Sequence, residues 1–169
     1  MKKPVLSTIT LLSLLSLAAC ASHQTTTVAA VAKPGPPAPQ PVSRRDVECM
    51  ALNLYWEARG EGRQGMLAVG WVVLNRVDSQ HFPNTVCGVV YQGGERPPCQ
   101  FSWWCDGRGD RPRDGASWRA AMSVAEELLS DPPPDITRSS LFYHATSIRY
   151  PWKRKRVQTA QVGRHIFYR

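Results

Sequence analysis

The sequence predicts an α+β domain that is mainly α-helical, with a small β element, after a signal peptide and a disordered tether. Apolar residues recur at helical spacing along three segments of the chain. Short β-like segments occur only near the C-terminus, and the first 43 residues cannot form a core. We therefore divide the chain into a leader (1–19), a tether (20–43) and a folded domain (44–169).

The leader has the features of a bacterial lipoprotein signal. Lys2 and Lys3 precede a run of apolar and small residues that is too short for an ordinary membrane span. The sequence Leu-Ala-Ala directly before Cys20 resembles a lipobox, which predicts a lipid on Cys20. Because Ala21 follows the cysteine, the pattern predicts an outer-membrane lipoprotein facing the periplasm. A plain signal peptide with an incidental cysteine is the alternative.

The tether and the net charge narrow the class of partner. Residues 34–41 are rich in proline, as expected for an extended linker between an anchor and a domain. The whole chain has a formal net charge of +8, which favours anionic partners. Because an exported chain rarely meets nucleic acid, we predict no nucleic-acid partner. Carboxylates of peptidoglycan stem peptides are the expected anionic groups.

Helix signals divide the folded domain into four helices. The Ser43–Asp46 segment predicts a helix start, and Gly60 and Gly62 end that helix. Its predicted buried stripe consists of Val47, Ala51, Leu54, Tyr55 and Ala58. The other predicted helices are Gln64–Val77, Val86–Tyr91 and Asp114–Ser130. The predicted inner face of the first of these consists of Met66, Gly70, Val73, Leu74 and Val77, and that of the last consists of Trp118, Ala121, Met122, Ala125 and Leu129. Leu141–Ala145 and Val157–Tyr168 are predicted to be short strands or extended segments, with Gly163 in a turn or a bulge.

Four cysteines in an exported domain predict two disulfides. Cys99 and Cys105 bracket a short loop and form the first predicted pair, which leaves Cys49 with Cys87. Four cysteines allow three connectivities, so the pairing is a hypothesis. No Cys-x-x-Cys motif occurs, and we predict neither a metal nor a cofactor.

Glu57 is the candidate catalytic residue. It lies at the rim of the apolar stripe of the first helix, between aromatic and apolar neighbours, shortly before Gly60. Loss of water favours the acid form of such a carboxyl group and raises its pKa. A glutamate of this kind can donate a proton near neutral pH, as glycoside cleavage requires. A surface glutamate paired with Arg59 or Arg63 is the alternative.

Several motifs in the same order resemble those of the SleB-type cell wall hydrolases, named for spore cortex-lytic enzymes. They are Cys49-Met-Ala-Leu-Asn-Leu-Tyr-Trp-Glu-Ala-Arg-Gly-Glu61, the alanines, valines and Leu-Asn-Arg of residues 65–77, Phe82–Gln92, Cys99–Trp103 and Tyr143–Ala145. The resemblance covers nearly the whole domain. It implies a lysozyme-like, lytic-transglycosylase-type fold that cuts the glycan strands of peptidoglycan, with Glu57 as the catalytic acid.

The resemblance and the residue types together predict the remaining site. Polar side chains beside aromatic rings suit a sugar-binding groove, and those expected to bind substrate are Glu61, Gln100, Phe101, Ser102, Trp103, Tyr143 and His144. For Glu61 a structural role, holding Arg59 and the turn, is the alternative. The basic run 153–156 can hold stem-peptide carboxylates or be a solvated face.

Two other classes of function are open at this stage. A zinc amidase or cysteine peptidase would cut stem peptides, although the histidines of the domain form no metal-ligand motif. A non-catalytic lipoprotein would bind peptidoglycan and tie it to the membrane. We expect a monomeric enzyme that cleaves glycan strands in the cell envelope.

Overall fold

The computed structural model describes residues 42–169, so the predicted leader, Cys20 and almost the whole tether lie outside the described part. The helices are α1 (Arg44–Ala58), α2 (Gly62–Val77), α3 (Val86–Val90) and α4 (Gly115–Ser130), with a 3₁₀ turn at Ser102–Cys105. The strands are β1 (Phe142–Ala145), β2 (Gln158–Val162) and β3 (His165–Tyr168). Among these residues, no helix combines the length and apolarity needed to cross a membrane.

Helix α1 begins and ends close to the predicted residues. The Ser43 side chain accepts a hydrogen bond from the Asp46 backbone N–H at 3.4 Å, which caps the first turn. All five residues of the predicted stripe are buried, and Leu54 and Ala51 are fully inaccessible. The helix packs against the other three helices, so its C-terminal end is held against the rest of the core.

Helix α2 is the centre of the domain. One side packs in the main core with Leu54 of α1 and Leu128 of α4. The other side buries Ala68 and Val72 against Phe167 of β3. Because both sides are covered, its buried surface is wider than the single inner face predicted from its spacing. At Gly70 a Cβ atom would overlap the Leu128 side chain, so a larger residue there would force Leu128 of α4 to move.

The small sheet is antiparallel, with strand order β1-β3-β2. Tyr143 of β1 lies opposite Phe167 of β3, and His144 lies opposite Ile166. Since successive side chains of a strand point to opposite faces, Tyr143 and His144 lie on different sides of the sheet. Tyr143 packs on the α2 side, beside Ala68 and Phe167. A turn with Gly163 at φ +52° connects β2 to β3, as the sequence predicts.

The structure contains both predicted disulfides. Cys49–Cys87 joins α1 to α3 across a Cα–Cα distance of 5.3 Å. Cys99–Cys105 closes the loop that contains the 3₁₀ turn, with a Cα–Cα distance of 6.2 Å. The first bridge ties α1 to α3, whereas the second closes only its own loop, which is held in the main core by Phe101 and Trp103.

The buried face of helix α4 is rotated by part of a turn from the predicted one. The buried residues include Ala121 and Ala125, as predicted, but also Val124 and Leu128. The larger side chains that were predicted to be buried are only partly so; they are Trp118, Met122 and Leu129. This difference places the Leu128 side chain against Gly70 of α2.

Candidate active site

Glu57 lies in the last turn of α1 and is half-buried. Its neighbours along the chain, Trp56 and Ala58, are partly and fully buried, respectively. The predicted position at the rim of the apolar stripe is therefore where the structure places it. A carboxyl group in this setting is reachable from solvent but loses much of its water.

The Tyr143 hydroxyl donates a hydrogen bond to Glu57 Oε2 at 2.9 Å. Tyr143 reaches the end of α1 because β1 presents it on the face that packs on α2. Its ring is held between His165 and Phe167, with centroid distances of 5.2 and 5.6 Å. Burial raises the pKa of Tyr143 well above its usual value, so the hydroxyl remains a proton donor to Glu57.

The pKa of Glu57 is raised above that of an ordinary glutamate. Burial is the largest cause, since it disfavours the charged form. The hydrogen bond from Tyr143 and the positive charge of Arg76 act in the opposite direction and limit the rise. This balance is the pattern expected of a glutamate that exchanges a proton during catalysis.

Arg76 is a site residue to which the sequence analysis gave no role. It is only 2% exposed, and its Nε donates to the Leu141 backbone carbonyl at 2.8 Å. The guanidinium lies 5.1 to 5.9 Å from the ring centroids of three phenylalanines, 82, 101 and 142. Burial lowers the pKa of Arg76 to about 10, so it is still a cation at neutral pH. Helical spacing places it on a buried side of α2, but an arginine gives no apolar pattern to detect.

The loop closed by Cys99–Cys105 makes one polar contact with Arg76. With the Gln100 amide oxygen turned toward Arg76, it accepts from both terminal guanidinium nitrogens at 3.2 Å. Ser102 is exposed at the start of the 3₁₀ turn. Gln100 therefore lies near the site through Arg76, and a contact of either residue with substrate stays a prediction.

Phe101 and Trp103 of that loop both pack in the main core. Phe101 is 2% exposed and packs under Arg76. Trp103 is 6% exposed, and its Nε1 donates to Asn53 Oδ1 at 3.1 Å. The burial of Phe101 contradicts its predicted place in a groove. Trp103 also lines a cavity of about 250 Å³ together with Trp56 and Arg59, so its contact with substrate stays a prediction.

His144 is also wrong as a groove-wall residue. It lies on the opposite face of the sheet from Tyr143, where its ring stacks on Tyr168 at 5.4 Å. Its Nδ1 contacts the Ala145 carbonyl at 2.9 Å, and Nε2 contacts the Tyr168 hydroxyl at 3.1 Å. Strand alternation separates it from Glu57, although the two residues of the Tyr-His pair are adjacent in sequence.

Glu61 pairs with the turn between β2 and β3. Its carboxylate accepts from the Arg164 backbone N–H at 2.9 Å and from the Arg164 side chain at 2.6 and 2.7 Å. Hydrogen bonds from Arg164 lower the pKa of Glu61, and the side chain is only 7% exposed. Both carboxylate oxygens of Glu61 are thus hydrogen-bonded, which favours a structural role for this residue. Its partner is Arg164 and not the predicted Arg59.

A cavity beside the end of α1 has a volume of about 570 Å³. Its lining includes Trp56 and Arg59, which flank Glu57 in sequence, and the Tyr55 ring. Trp56 is oriented by a hydrogen bond from Nε1 to the Asp110 carbonyl at 3.1 Å. Glu57 itself is not part of the lining. Trp56 was quoted in the sequence motif without a role, and its partly exposed ring is the aromatic surface nearest Glu57 in sequence.

Within residues 42–169, no group of three His, Cys, Asp or Glu side chains is arranged to hold a metal ion. The four cysteines of this region are all in disulfides. The half-buried Glu57 carboxyl group, with its raised pKa and its hydrogen bond from Tyr143, can support proton transfer. This fold and site define a small α+β domain with a glutamate at the end of its first helix.

Comparison with known proteins gives the family. The model of the Cell Wall Hydrolase family matches residues 60–168, and the chain belongs to that family. The matched range includes Glu61 and Tyr143 and begins three residues after Glu57.

Named relatives are spore cortex-lytic enzymes. The protein from Oceanobacillus iheyensis is 34% identical over 132 residues, which is 76% of this chain and 43% of the relative. The protein from Bacillus subtilis is 31% identical over 128 residues, 74% of this chain and 38% of the relative. The chain thus spans less than half the length of these relatives.

Two solved structures share the fold. The catalytic domain of Bacillus cereus SleB superposes with a TM-score of 0.58 at 32% identity, over 78% of this chain and 94% of that one. The catalytic domain of SleB from Bacillus anthracis is described as a germination-specific lytic transglycosylase. It superposes with a TM-score of 0.59 at 32% identity, over 78% of this chain and 100% of that one. The predicted SleB-type, lysozyme-like fold class is confirmed.

Proposed function

We propose that this protein cleaves the glycan strands of peptidoglycan, with Glu57 as its single catalytic carboxyl group. The observation that carries the proposal is the half-buried Glu57 carboxyl group, with its raised pKa and the hydrogen bond from Tyr143. Membership of the Cell Wall Hydrolase family and likeness to a lytic transglycosylase support the same substrate class.

In this proposal the protonated Glu57 first acts as an acid. Tyr143 occupies Oε2, and within residues 42–169 no hydrogen bond is made to Oε1, which is the oxygen available to substrate. The acid donates its proton to the glycosidic oxygen while the bond to the anomeric carbon breaks. The sugar carbon becomes cationic and Glu57 becomes a carboxylate, which the nearby Arg76 charge stabilises.

Glu57 then acts as a base. The carboxylate removes the proton of the muramic acid 6-hydroxyl, whose oxygen bonds to the anomeric carbon and closes a 1,6-anhydro ring. The proton regained in this step restores the starting acid, so one carboxyl group serves the whole cycle. An inverting or retaining hydrolase needs a second carboxylate at the sugar. Glu61 is a poor candidate because Arg164 engages both of its oxygens.

Analysis of the products tests this function. Purified sacculi are digested with the protein, and the soluble fragments are analysed by mass spectrometry with and without borohydride reduction. We expect fragments with 1,6-anhydro ends, which borohydride does not reduce. Reducible sugar ends would mean hydrolysis, cut amide bonds would mean an amidase or peptidase, and binding without products would mean a non-catalytic protein.

We further propose that Cys20 carries a lipid that anchors the protein to the outer membrane, facing the periplasm. The support is the lipobox-like sequence and the proline-rich residues that separate it from the domain. Two or more acyl chains are sufficient for stable attachment. Cys20→Ser should move the protein out of the membrane fraction or prevent its processing, and an unchanged distribution would contradict the anchor.

A further inference from the structure

The segment of residues 146–157, here called the strap, connects β1 to β2 across the outer face of the sheet. The rings of Tyr150 and Trp152 pack on His144, with centroid distances of 6.2 and 5.5 Å. The Arg156 guanidinium lies 3.4 Å from the centre of the Phe142 ring. Tyr150 and Trp152 thus pack on the face of the sheet opposite Tyr143, whereas Arg156, at the end of the strap, shares the Phe142 ring with Arg76.

Hydrogen bonds within the strap give it a defined shape. The Tyr150 hydroxyl donates to the Arg154 carbonyl at 2.8 Å and accepts from the Arg156 backbone N–H at 2.7 Å. Val157 pairs with Arg169 through two backbone hydrogen bonds of 2.9 and 3.2 Å. Because the strap is ordered by these contacts, binding through it requires little further loss of conformational entropy.

The surface of the strap combines positive charge with exposed apolar side chains. It contains no Asp or Glu, and its exposed cations are Arg149, Lys153, Arg154 and Lys155. Five large apolar side chains are exposed within residues 42–169, and three of them belong to the strap. They are Ile148 (54% exposed), Tyr150 (37%) and Val157 (64%).

We propose that the strap is a docking surface for an anionic membrane, where its cations meet lipid phosphates and Ile148 and Val157 enter the headgroup region. Cationic surfaces that also expose apolar side chains are typical of proteins that lie on membranes. Stem-peptide carboxylates would also attract the four cations, but they offer nothing to two exposed aliphatic side chains. The apolar component therefore favours the membrane over the cell wall.

The position of the strap determines how a docked domain would be oriented on the membrane. Glu57 contacts Tyr143 on one side of β1, whereas the strap covers His144 on the other. A domain docked through the strap would keep its catalytic glutamate on the side of the sheet that faces away from the membrane. The proposal does not rest on the cleavage chemistry, because an inactive Glu57→Gln protein would dock equally well.

Vesicle binding by residues 42–169 tests the docking surface without the predicted lipid. This range contains the whole described core and both disulfides. The matching catalytic domain of Bacillus cereus SleB was crystallised as a separate domain, which supports independent folding of this range. Binding is measured by co-sedimentation with phosphatidylcholine vesicles, with and without 30% phosphatidylglycerol. We expect binding only to the anionic vesicles, and weaker binding as salt is raised.

Two variants separate the contributions of charge and apolar surface. Lys153→Gln/Arg154→Gln/Lys155→Gln should weaken binding about 100-fold, since each cation near an anionic surface contributes about fivefold. Ile148→Ser/Val157→Ser should also weaken it, with the charge unchanged. The matched control, Arg45→Gln/Arg96→Gln/Arg119→Gln, removes three exposed cations outside the strap and should bind nearly as well as the parent.

Three results would overturn the proposal. Equal binding to neutral and anionic vesicles would remove the role of charge. An equal loss in the control variant would show that net charge, not the strap, attracts the vesicles. Binding to purified sacculi that depends on residues 153–155, without binding to vesicles, would assign the strap to cell-wall carboxylates instead. Circular dichroism of each variant checks that the fold is retained.

Discussion

The Tyr143 hydroxyl donates a 2.9 Å hydrogen bond to Glu57 across 86 positions of sequence, joining the first strand of the sheet to the end of the first helix. This contact holds one carboxyl oxygen in place, and no hydrogen bond from residues 42–169 reaches the other. It also lowers the pKa of Glu57 and so opposes the effect of burial. Both consequences can be measured separately.

Tyr143→Phe should shift the pH dependence of cleavage upward. Loss of the hydrogen bond removes a cause that lowers the pKa of Glu57, so the acid form persists to higher pH. The alkaline limb of the kcat profile should therefore move to higher pH. At the optimum, kcat should fall about five- to tenfold, because one hydrogen bond contributes about 1 kcal/mol. An unchanged limb would mean that Tyr143 does not act on the Glu57 proton.

Glu61→Gln should destabilise the domain at neutral pH by about 1–2 kcal/mol, because it weakens the contacts with Arg164 and one partner is largely exposed. The folded pKa of Glu61 is lowered, so its stabilising effect is present above its unfolded pKa and is lost as pH falls through the folded value. Denaturant unfolding at several pH values measures this. Glu126→Gln, an exposed change on α4, is the control.

The result for Glu61 also bears on its role. Loss of stability with cleavage nearly intact would assign Glu61 to the β2–β3 turn, as its contacts indicate. A loss of cleavage comparable to that of Glu57→Gln, at unchanged stability, would instead make it a second catalytic carboxylate.

Glu57→Gln should have the opposite effect on stability. Burial raises the folded pKa of Glu57, so the ionised wild type loses stability as pH rises from the unfolded pKa through the folded one. The neutral amide avoids this cost and can still accept from Tyr143. The variant should be at least as stable as wild type near neutral pH, with the difference shrinking in acid. A less stable variant at neutral pH would contradict the burial of the carboxylate.

The two disulfides should contribute unequally to stability. Replacing Cys49 and Cys87 by serine opens a loop of sequence separation 38, whereas Cys99 and Cys105 are only 6 apart. The chain-entropy relation gives about 4 kcal/mol for the first bridge and about 2 kcal/mol for the second. Denaturant unfolding of the two double variants measures the difference. Equal costs would mean that native packing, not the unfolded chain, sets both values.

Local signals in the sequence predicted most of the helices. The Ser43 cap, the apolar spacing of α1 and the glycines after Ala58 act within a few residues, so they can be recognised without tertiary structure. The Gly163 turn is local in the same sense. These features placed Glu57 at the end of a helix and at the rim of its buried face.

The parts of the site that the sequence did not predict correctly depend on packing between distant segments. Trp103 packs in the main core and donates its indole N–H to Asn53, fifty positions away, and no local pattern encodes these contacts. The His144 side chain points away from Glu57 because only the Tyr143 side of β1 packs against α2. Arg76 was overlooked since a buried arginine looks polar in sequence, and its aromatic surroundings come from three separate segments.

The role of Glu57 as the single catalytic carboxyl group is tested most directly by cleavage of purified sacculi by Glu57→Gln. The matched control is Glu48→Gln, the same change at an exposed position of the same helix. We expect Glu57→Gln to lose cleavage by at least about 10²–10⁴-fold with its fold and disulfides intact, and the control to release fragments at the wild-type rate. Release of glycan fragments by Glu57→Gln at the wild-type rate would contradict the account.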